Sequence, residues 1–333
     1  MGIMIHRKFW PLILLIFCLH CLPAEAVTLK IATLAPVGSP WVQSLRRLSA
    51  EWDRISQGRV HLKIYPGGIA GEEADMIRKM RIGQLDGAAL TQMGVGLLDS
   101  AILALSTPFL IQEEGELDHV MERTKPYFES RLADKGYRLL AFTKAGWVHF
   151  FGREPLIFPE DLKRLKLGVA AGDADFVETW RRAGFNAFSL PFGDLLVGLQ
   201  TGMIDAFYAP PVVAATFQWF GPAHHMSALP IAPVVGAVVV TSEFIERIPS
   251  DLREPLLATF TALEAELNAQ MRALEEEALA VMQEQGLEIH SIPAEAAKQW
   301  RRIGDQGILV VLGRMIPEES YRLIVDLVSE YNQ

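Results

Sequence analysis

The segment Met80-Arg81-Ile82-Gly83-Gln84-Leu85-Asp86-Gly87-Ala88 has a counterpart in Leu199-Gln200-Thr201-Gly202-Met203-Ile204-Asp205-Ala206-Phe207. In both, helical spacing ends on a glycine, which tolerates a left-handed backbone, and an aspartate opens an apolar run. Working outward from the first copy, Thr28 to Leu34 reads as a strand and Ala35 to Pro40 as a loop. Trp41, Leu45, Leu48, Trp52 and Ile55 then fall on one helical face. Val60 to Tyr65 alternates as a strand, Glu72 to Ile82 reads as a helix, and Leu85 to Leu90 as a strand. Around the second copy the same order returns: strand 165–169, helix 175–183, strand 187–190, helix 192–201 and strand 204–208. Each is a β-α-β-α-β unit, the building block of a doubly wound sheet.

Two such units predict an α/β protein of two equivalent lobes. Residues 27–150 and 237–278 are assigned to the first lobe, 151–236 and 279–333 to the second. The lobes are expected to close about strands near Phe150–Phe151 and Val235–Ala237. Between Ser250 and Gly286 runs one long helical pattern, about 50 Å at 1.5 Å per residue. It reads either as a peripheral helix or as a brace crossing both lobes, and the lobed layout favours the brace. Ligands of open α/β sheets sit at the carboxyl ends of strands. The search for a site therefore narrows to Thr33–Trp41, Gln92, Gly168–Gly172, Phe192 and Tyr208–Pro211.

At the N-terminus, His6, Arg7 and Lys8 precede an apolar run from Phe9 to Leu22 and the small-x-small triplet Ala24-Glu25-Ala26. This is the order of a cleavable secretory signal, 1–26, and it predicts a periplasmic protein. Pro11, His20 and Pro23 cut the run short of a membrane anchor. Phe17 and His20 before Cys18 and Cys21 argue against lipoprotein attachment. Cleavage would remove both cysteines, leaving no disulfide and no thiolate chemistry. The chain carries 31 basic and 40 acidic residues, a formal charge of -9. An acidic balance argues against a nucleic-acid partner.

No catalytic constellation emerges. His224-His225 lacks the spacing of a helical metal pair and reads as a solvated loop pair. Trp147, His149 and Phe151 share one face of an aromatic strand, where a packed or ligand-contacting histidine outweighs a catalytic one. Gly67-Gly68 and Gly94-Val95-Gly96 are too short for phosphate cradles. Glu72-Glu73 and Glu275-Glu276-Glu277 read as solvated helix faces. The expectation is a protein that is not an enzyme and that holds no cofactor and no metal.

Ala32-Thr33-Leu34-Ala35-Pro36-Val37-Gly38-Ser39-Pro40-Trp41 resembles the opening of the solute-binding proteins of tripartite ATP-independent periplasmic (TRAP) transporters. So do Tyr65-Pro66-Gly67-Gly68-Ile69-Ala70-Gly71-Glu72, Pro159-Glu160-Asp161-Leu162-Lys163-Arg164-Leu165-Lys166 and Pro191-Phe192-Gly193-Asp194. The resemblance implies a two-lobed α/β periplasmic-binding-protein fold with a hinge and a long brace helix, and a receptor that closes over one small ligand and serves a small and a large membrane subunit driven by an ion gradient. A ligand carrier for a signalling receptor would use the same cleft, and an enzyme on this fold is the third alternative.

The chain departs from the family where the family binds carboxylates. The arginine expected two residues after Lys166 is Gly168, a second aligns with Val148, and a polar segment after Asp205 reads Phe207-Tyr208-Ala209-Pro210. A charge-assisted hydrogen bond is worth about 1.5–3 kcal/mol, so a simple organic acid is disfavoured unless Arg153 or Lys144 takes over. Trp147, Phe192, Phe207, Tyr208, Phe217 and Trp219 stand in the region instead, which predicts an apolar or aromatic-faced ligand. The residues assigned to binding are Trp41, Gln92, Trp147, His149, Gly168, Phe192, Tyr208, Pro210 and Trp219. The aromatic Trp147 strand and the Ala171-Gly172-Asp173 turn resemble a subgroup that works beside a periplasmic tetratricopeptide-repeat protein.

Overall fold

A computed structural model describes residues 26–170 and 174–333. The expected signal segment, except Ala26, and the Ala171-Gly172-Asp173 turn lie outside the described residues. The first lobe begins with β1 (Val27–Thr33), α1 (Pro40–Ser56), β2 (Val60–Tyr65), α2 (Glu73–Arg81), β3 (Gly87–Thr91), α3 (Gln92–Leu98), α4 (Glu114–Ala133) and β4 (Tyr137–Trp147). The second continues with β5 (His149–Gly152), α5 (Pro159–Lys163), β6 (Lys166–Ala170), α6 (Ala174–Arg182), β7 (Asn186–Leu190), α7 (Leu195–Thr201), β8 (Ala206–Ala209), α8 (Pro211–Thr216) and β9 (His225–Ser227). The chain ends with β10 (Pro233–Thr241), α9 (Ser242–Arg247), α10 (Ser250–Glu284), β11 (Glu288–His290), α11 (Ala294–Val311) and α12 (Glu318–Tyr331).

The first sheet has the order β2-β1-β3-β10-β4 and the second β11-β9-β5-β8-β6-β7. Each is a parallel triad, β2-β1-β3 or β7-β6-β8, extended by an antiparallel strand that enters after the chain has crossed between lobes. The repeated sequence has a structural cause. Asp86 accepts a hydrogen bond from the Lys30 amide at 2.8 Å, and Asp205 accepts one from the Lys166 amide at 3.1 Å. The aspartate amides donate back to the carbonyls of those same lysines, at 2.9 and 2.8 Å. Each aspartate thus staples the third strand of its triad to the first. The preceding Gly83 and Gly202 both take left-handed backbones, φ 70° and 71°, a conformation costly to residues with a Cβ.

Crossings fall a little earlier than the sequence reading placed them. The chain passes between lobes at Val148 and again between Ser227 and Pro233. There the two segments pair: the Val148 amide donates to the Ala232 carbonyl at 2.9 Å, and the Ile231 amide to the Val148 carbonyl at 3.0 Å. Helix α10 is the brace. Leu252, Leu256, Phe260, Leu263 and Leu267 pack in the first lobe with Trp52 and Phe244, while Met282 packs in the second with Phe207 and Trp219. Its polar side chains cover the outer edge of β4. Glu264 accepts from the Phe142 amide at 2.9 Å, Asn268 from the Lys144 amide at 2.7 Å, and Glu275 from the Trp147 amide at 3.0 Å. An edge strand must have its backbone groups covered, and here a helix does so.

Two features depart from expectation. Helix α11 also spans the lobes, with Trp300 in the second-lobe core and Val311 in that of the first. Helix α12, assigned by sequence to the second lobe, packs through Ile324 and Leu327 among Val120, Phe128 and Leu105 of the first. The reason is the apolar flank of α4, which without α12 would face water. The paired aspartates give a direct test: Asp86→Ala removes the partner of the half-buried Lys30 amide together with that of Arg247, and should cost about 1–3 kcal/mol. A urea midpoint unchanged from the parent protein would refute the staple.

Candidate ligand site

Between the lobes lies a cavity of about 520 Å³, within the range of small-molecule sites. Its first-lobe wall comes from the carboxyl ends of β1 and β3, the start of α1 and the crossing strand β10: Thr33, Trp41, Thr91, Gln92 and Val235. The second-lobe wall comes from the ends of β6 and β8 and from the segment just beyond β8: Ala170, Tyr208, Pro210, Phe217 and Trp219. The sequence thus brings strand ends together as a doubly wound sheet requires.

Six of the nine residues assigned from sequence line this cavity: Trp41, Gln92, Phe192, Tyr208, Pro210 and Trp219. Gln92 is held by three hydrogen bonds within the protein. Its amide donates to the Ile102 carbonyl at 3.2 Å, and its oxygen accepts from Ser106 at 2.6 Å and the Val235 amide at 3.3 Å. Gln92 therefore shapes the wall and keeps its second amide N–H uncommitted.

The other three lie elsewhere. Trp147 faces a separate cavity of about 200 Å³ with Glu114, Lys144 and Glu275. His149 turns its Nδ1 to the Ser227 carbonyl at 2.9 Å, and burial holds its pKa below the ordinary value. Gly168 is enclosed: a Cβ there would come within 2.4 Å of Ile204 and 3.1 Å of Leu195. Those two apolar side chains fill the space an arginine stem would need, and the cavity is reached from this strand by Ala170. Phe207 is core as well, stacked on Phe151 at 4.9 Å.

Aromatic side chains make up much of the second-lobe wall. Phe192, Phe217 and Trp219 form a triangle with ring separations of 4.8, 4.9 and 5.1 Å. Across the same lobe Trp180 lies 5.5 Å from Tyr208, and Phe150 lies 4.8 Å from Trp300. Tyr208 is buried with a hydrogen bond from Trp180, and burial drives its pKa far upward, so it stays neutral. Phe109, Trp180 and Trp300 reach the cavity from segments the sequence reading did not single out. Phe109 takes a left-handed backbone, φ 61°, while its amide donates to the Ile231 carbonyl at 2.7 Å and its ring lies beneath Arg301. Such a conformation in a bulky residue is held only by its surroundings, here by contacts with the second lobe.

Charge is nearly absent. Among the described residues, the lining includes no arginine, lysine or histidine, and its ionisable carboxyls are Glu72 and Glu73. Arg153 is turned to the Leu199 carbonyl and Asp205. Lys144 pairs with Glu114 at 2.6 Å and Asp118 at 2.9 Å. Neither stands in for the missing arginines.

Of the glutamates read as solvated from sequence, Glu73 is buried and Glu275 half-buried. Glu275 meets the Trp147 amide, and desolvation raises its pKa. Glu73 accepts from the Thr91 amide and, at 2.7 Å, from the Thr91 hydroxyl. Its carboxyl fills the space beside Gly94, where a Cβ would come within 2.5 Å. Burial lifts the Glu73 pKa to about 7. The unfolded chain ionises this group near 4.5, whereas the folded protein keeps the proton until about 7. Stability is therefore greatest below the lower value and falls as pH rises through that window, by on the order of 3 kcal/mol above it. Relative to the parent protein, Glu73→Gln should flatten the decline between pH 4.5 and 7.5 in denaturant melts; parallel pH profiles would contradict this assignment.

The fold and cleft have close counterparts. The model of bacterial extracellular solute-binding protein family 7 matches residues 31–308. A solute-binding protein of Chromohalobacter salexigens is 27% identical over 184 residues, 55% of this chain and 54% of that protein. The chain thus spans about half the length of the first curated relatives it matches. A C4-dicarboxylate-binding periplasmic protein of Rhodobacter capsulatus is 22% identical over 84% of this chain and 85% of its own length. Among solved structures, the sugar acid binding protein of Advenella mimigardefordensis in complex with galactonate superposes with a TM-score of 0.84 at 16% identity, covering 92% of this chain and 99% of that one. With its family model matched over most of the chain, two α/β lobes and a cleft at the strand ends, the protein belongs to bacterial extracellular solute-binding protein family 7, the TRAP solute-binding proteins.

Proposed function

We propose that this protein is the extracytoplasmic receptor of a TRAP-type secondary transporter, and that it captures a small ligand with an apolar or aromatic face. The observation that carries the ligand class is the cavity wall: aromatic and aliphatic side chains, no basic residue among those described, and two carboxyls. A buried carboxylate ligand needs a cation or several donors, and taking it from water without them costs several kcal/mol. An apolar ligand needs only area, each fully buried side chain contributing roughly 1.5–3 kcal/mol. The relatives named for dicarboxylates and the structure holding galactonate are similar in fold, while this chain has Val148, Ala170 and Ala209 at the wall.

The receptor's partners in this reading are a small and a large membrane subunit, with a periplasmic tetratricopeptide-repeat protein as an additional carrier of the ligand. An apolar ligand has little free concentration in water, which gives a second periplasmic binding protein a purpose. The lobes close about the paired crossing at Val148 and Ala232, and ligand shifts the balance by its preference for the closed form.

Calorimetry against dicarboxylates, sugar acids, keto acids and apolar or aromatic compounds tests the reading. Binding is expected only among the last group. Phe217→Ala should weaken it by at least about tenfold, the equivalent of 1.4 kcal/mol. Gly168→Arg should not create acid binding, because Ile204 and Leu195 occupy the space its stem would cross. Tight binding of a plain dicarboxylate by the parent protein would overturn the ligand class.

A further inference from the structure

We infer that the second lobe carries a divalent transition-metal site of the zinc type, built from His225, Glu288 and His290. Strands β9 and β11 lie parallel, with His225 opposite Glu288 and Ser227 opposite His290. Side chains two apart on a strand share a face, so Glu288 and His290 emerge on one side of β11 and His225 meets them from β9. His225 Nδ1 lies 2.9 Å from His290 Nε2 and 3.6 Å from Glu288 Oε2. One ligand atom from each of the three lies within 4.8 Å of the others.

These distances suit one small ion. Ligands about 2.0–2.1 Å from a tetrahedral zinc stand roughly 3.3 Å apart. The carboxylate is therefore near its coordinating position, and the imidazoles must separate by only a few tenths of an ångström. Two imidazoles and a carboxylate are also the donor set of open zinc sites, which leave a fourth position for water. His224, whose ring centre lies 4.5 Å from that of His225, is the neighbouring imidazole. The sequence concealed the cluster because its members come from strands 65 residues apart, and His225 is strand-bound, not part of a solvated loop pair.

The position gives the ion a structural consequence. β11 is a three-residue edge strand that comes directly after α10, through Gly286 and the buried Leu287. A metal bridging β9 and β11 would fasten the second-lobe end of the brace to its sheet. None of the three residues lines the interlobe cavity, so metal and ligand occupy separate sites.

The test uses the full secreted chain, without an affinity tag, stripped with EDTA and dialysed against zinc or magnesium chloride. Elemental analysis should find one zinc per chain and no magnesium, and zinc alone should raise the melting temperature. His290→Ala and Glu288→Ala should each weaken zinc binding by at least about tenfold, as losing a direct ligand costs no less than losing an outer partner. Glu288 is largely exposed, so its variant keeps the test valid should the histidine variant unfold. No zinc retained, or equal affinity in the parent and the Glu288 variant, would overturn the site and leave a plain histidine–histidine hydrogen bond.

Discussion

The molecule depends on one short piece of sheet, the pairing of Val148 with Ile231 and Ala232 where the chain passes between lobes. Neither sheet is completed in a single pass of the chain: the second gains β11 only after the chain has returned through the first lobe. β10 enters the first sheet between β3 and β4 after the chain has built most of the second lobe, and β5 enters the second between β8 and β9. The two crossing segments must therefore run side by side. That constraint places the carboxyl ends of both parallel triads face to face, and a cleft between them results. Helices α10 and α11 then limit how the lobes can move, because each buries side chains in both.

The cleft's chemistry is set by the packing of the second lobe behind it. Ile204 and Leu195 pack against Gly168, so β6 offers the cavity only Ala170. Arg153 and Lys144, the cations considered from the sequence, are each engaged with carboxylates or carbonyls and neither lines the cavity. With charge withdrawn from the wall, the Phe192–Phe217–Trp219 triangle and the Trp180–Tyr208 pair supply the contact surface. Aromatic rings give large contact area at little entropic cost, since few side-chain torsions are fixed. Among the polar wall groups, Glu73 is held by the Thr91 amide and hydroxyl, and Gln92 by the Ile102 carbonyl, Ser106 and the Val235 amide.

Much of this was legible in the sequence, for identifiable reasons. The triads were visible because their strands are short and apolar, their helices end on glycine, and the Asp86 and Asp205 staples recur at matching positions. The strand-end rule located five of the six assigned residues that line the cavity, and Trp219 came from the aromatic run instead. Tertiary placement decided the residues that escaped. The expected aromatic strand through Trp147, His149 and Phe151 is broken at Val148, where the chain crosses between lobes: Trp147 ends β4 of the first sheet, His149 opens β5 of the second, and neither lines the cleft. Glu73 and Glu275 carry no local mark of burial; only packing against Thr91, Gly94 and Trp147 removes them from water. Helix α12 comes after α11 has led the chain back across the cleft, and nothing in its spacing tells which lobe its apolar flank meets. The histidine cluster needs two strands far apart in sequence.

The central claim is that a cleft stripped of cations takes a ligand without a carboxylate. Native mass spectrometry of the protein purified from the envelope fraction, with denaturing release of whatever it carries, addresses this most directly. The expected result is a neutral small molecule with an apolar or aromatic face, at one per chain. A dicarboxylate or sugar acid released at that stoichiometry would contradict it.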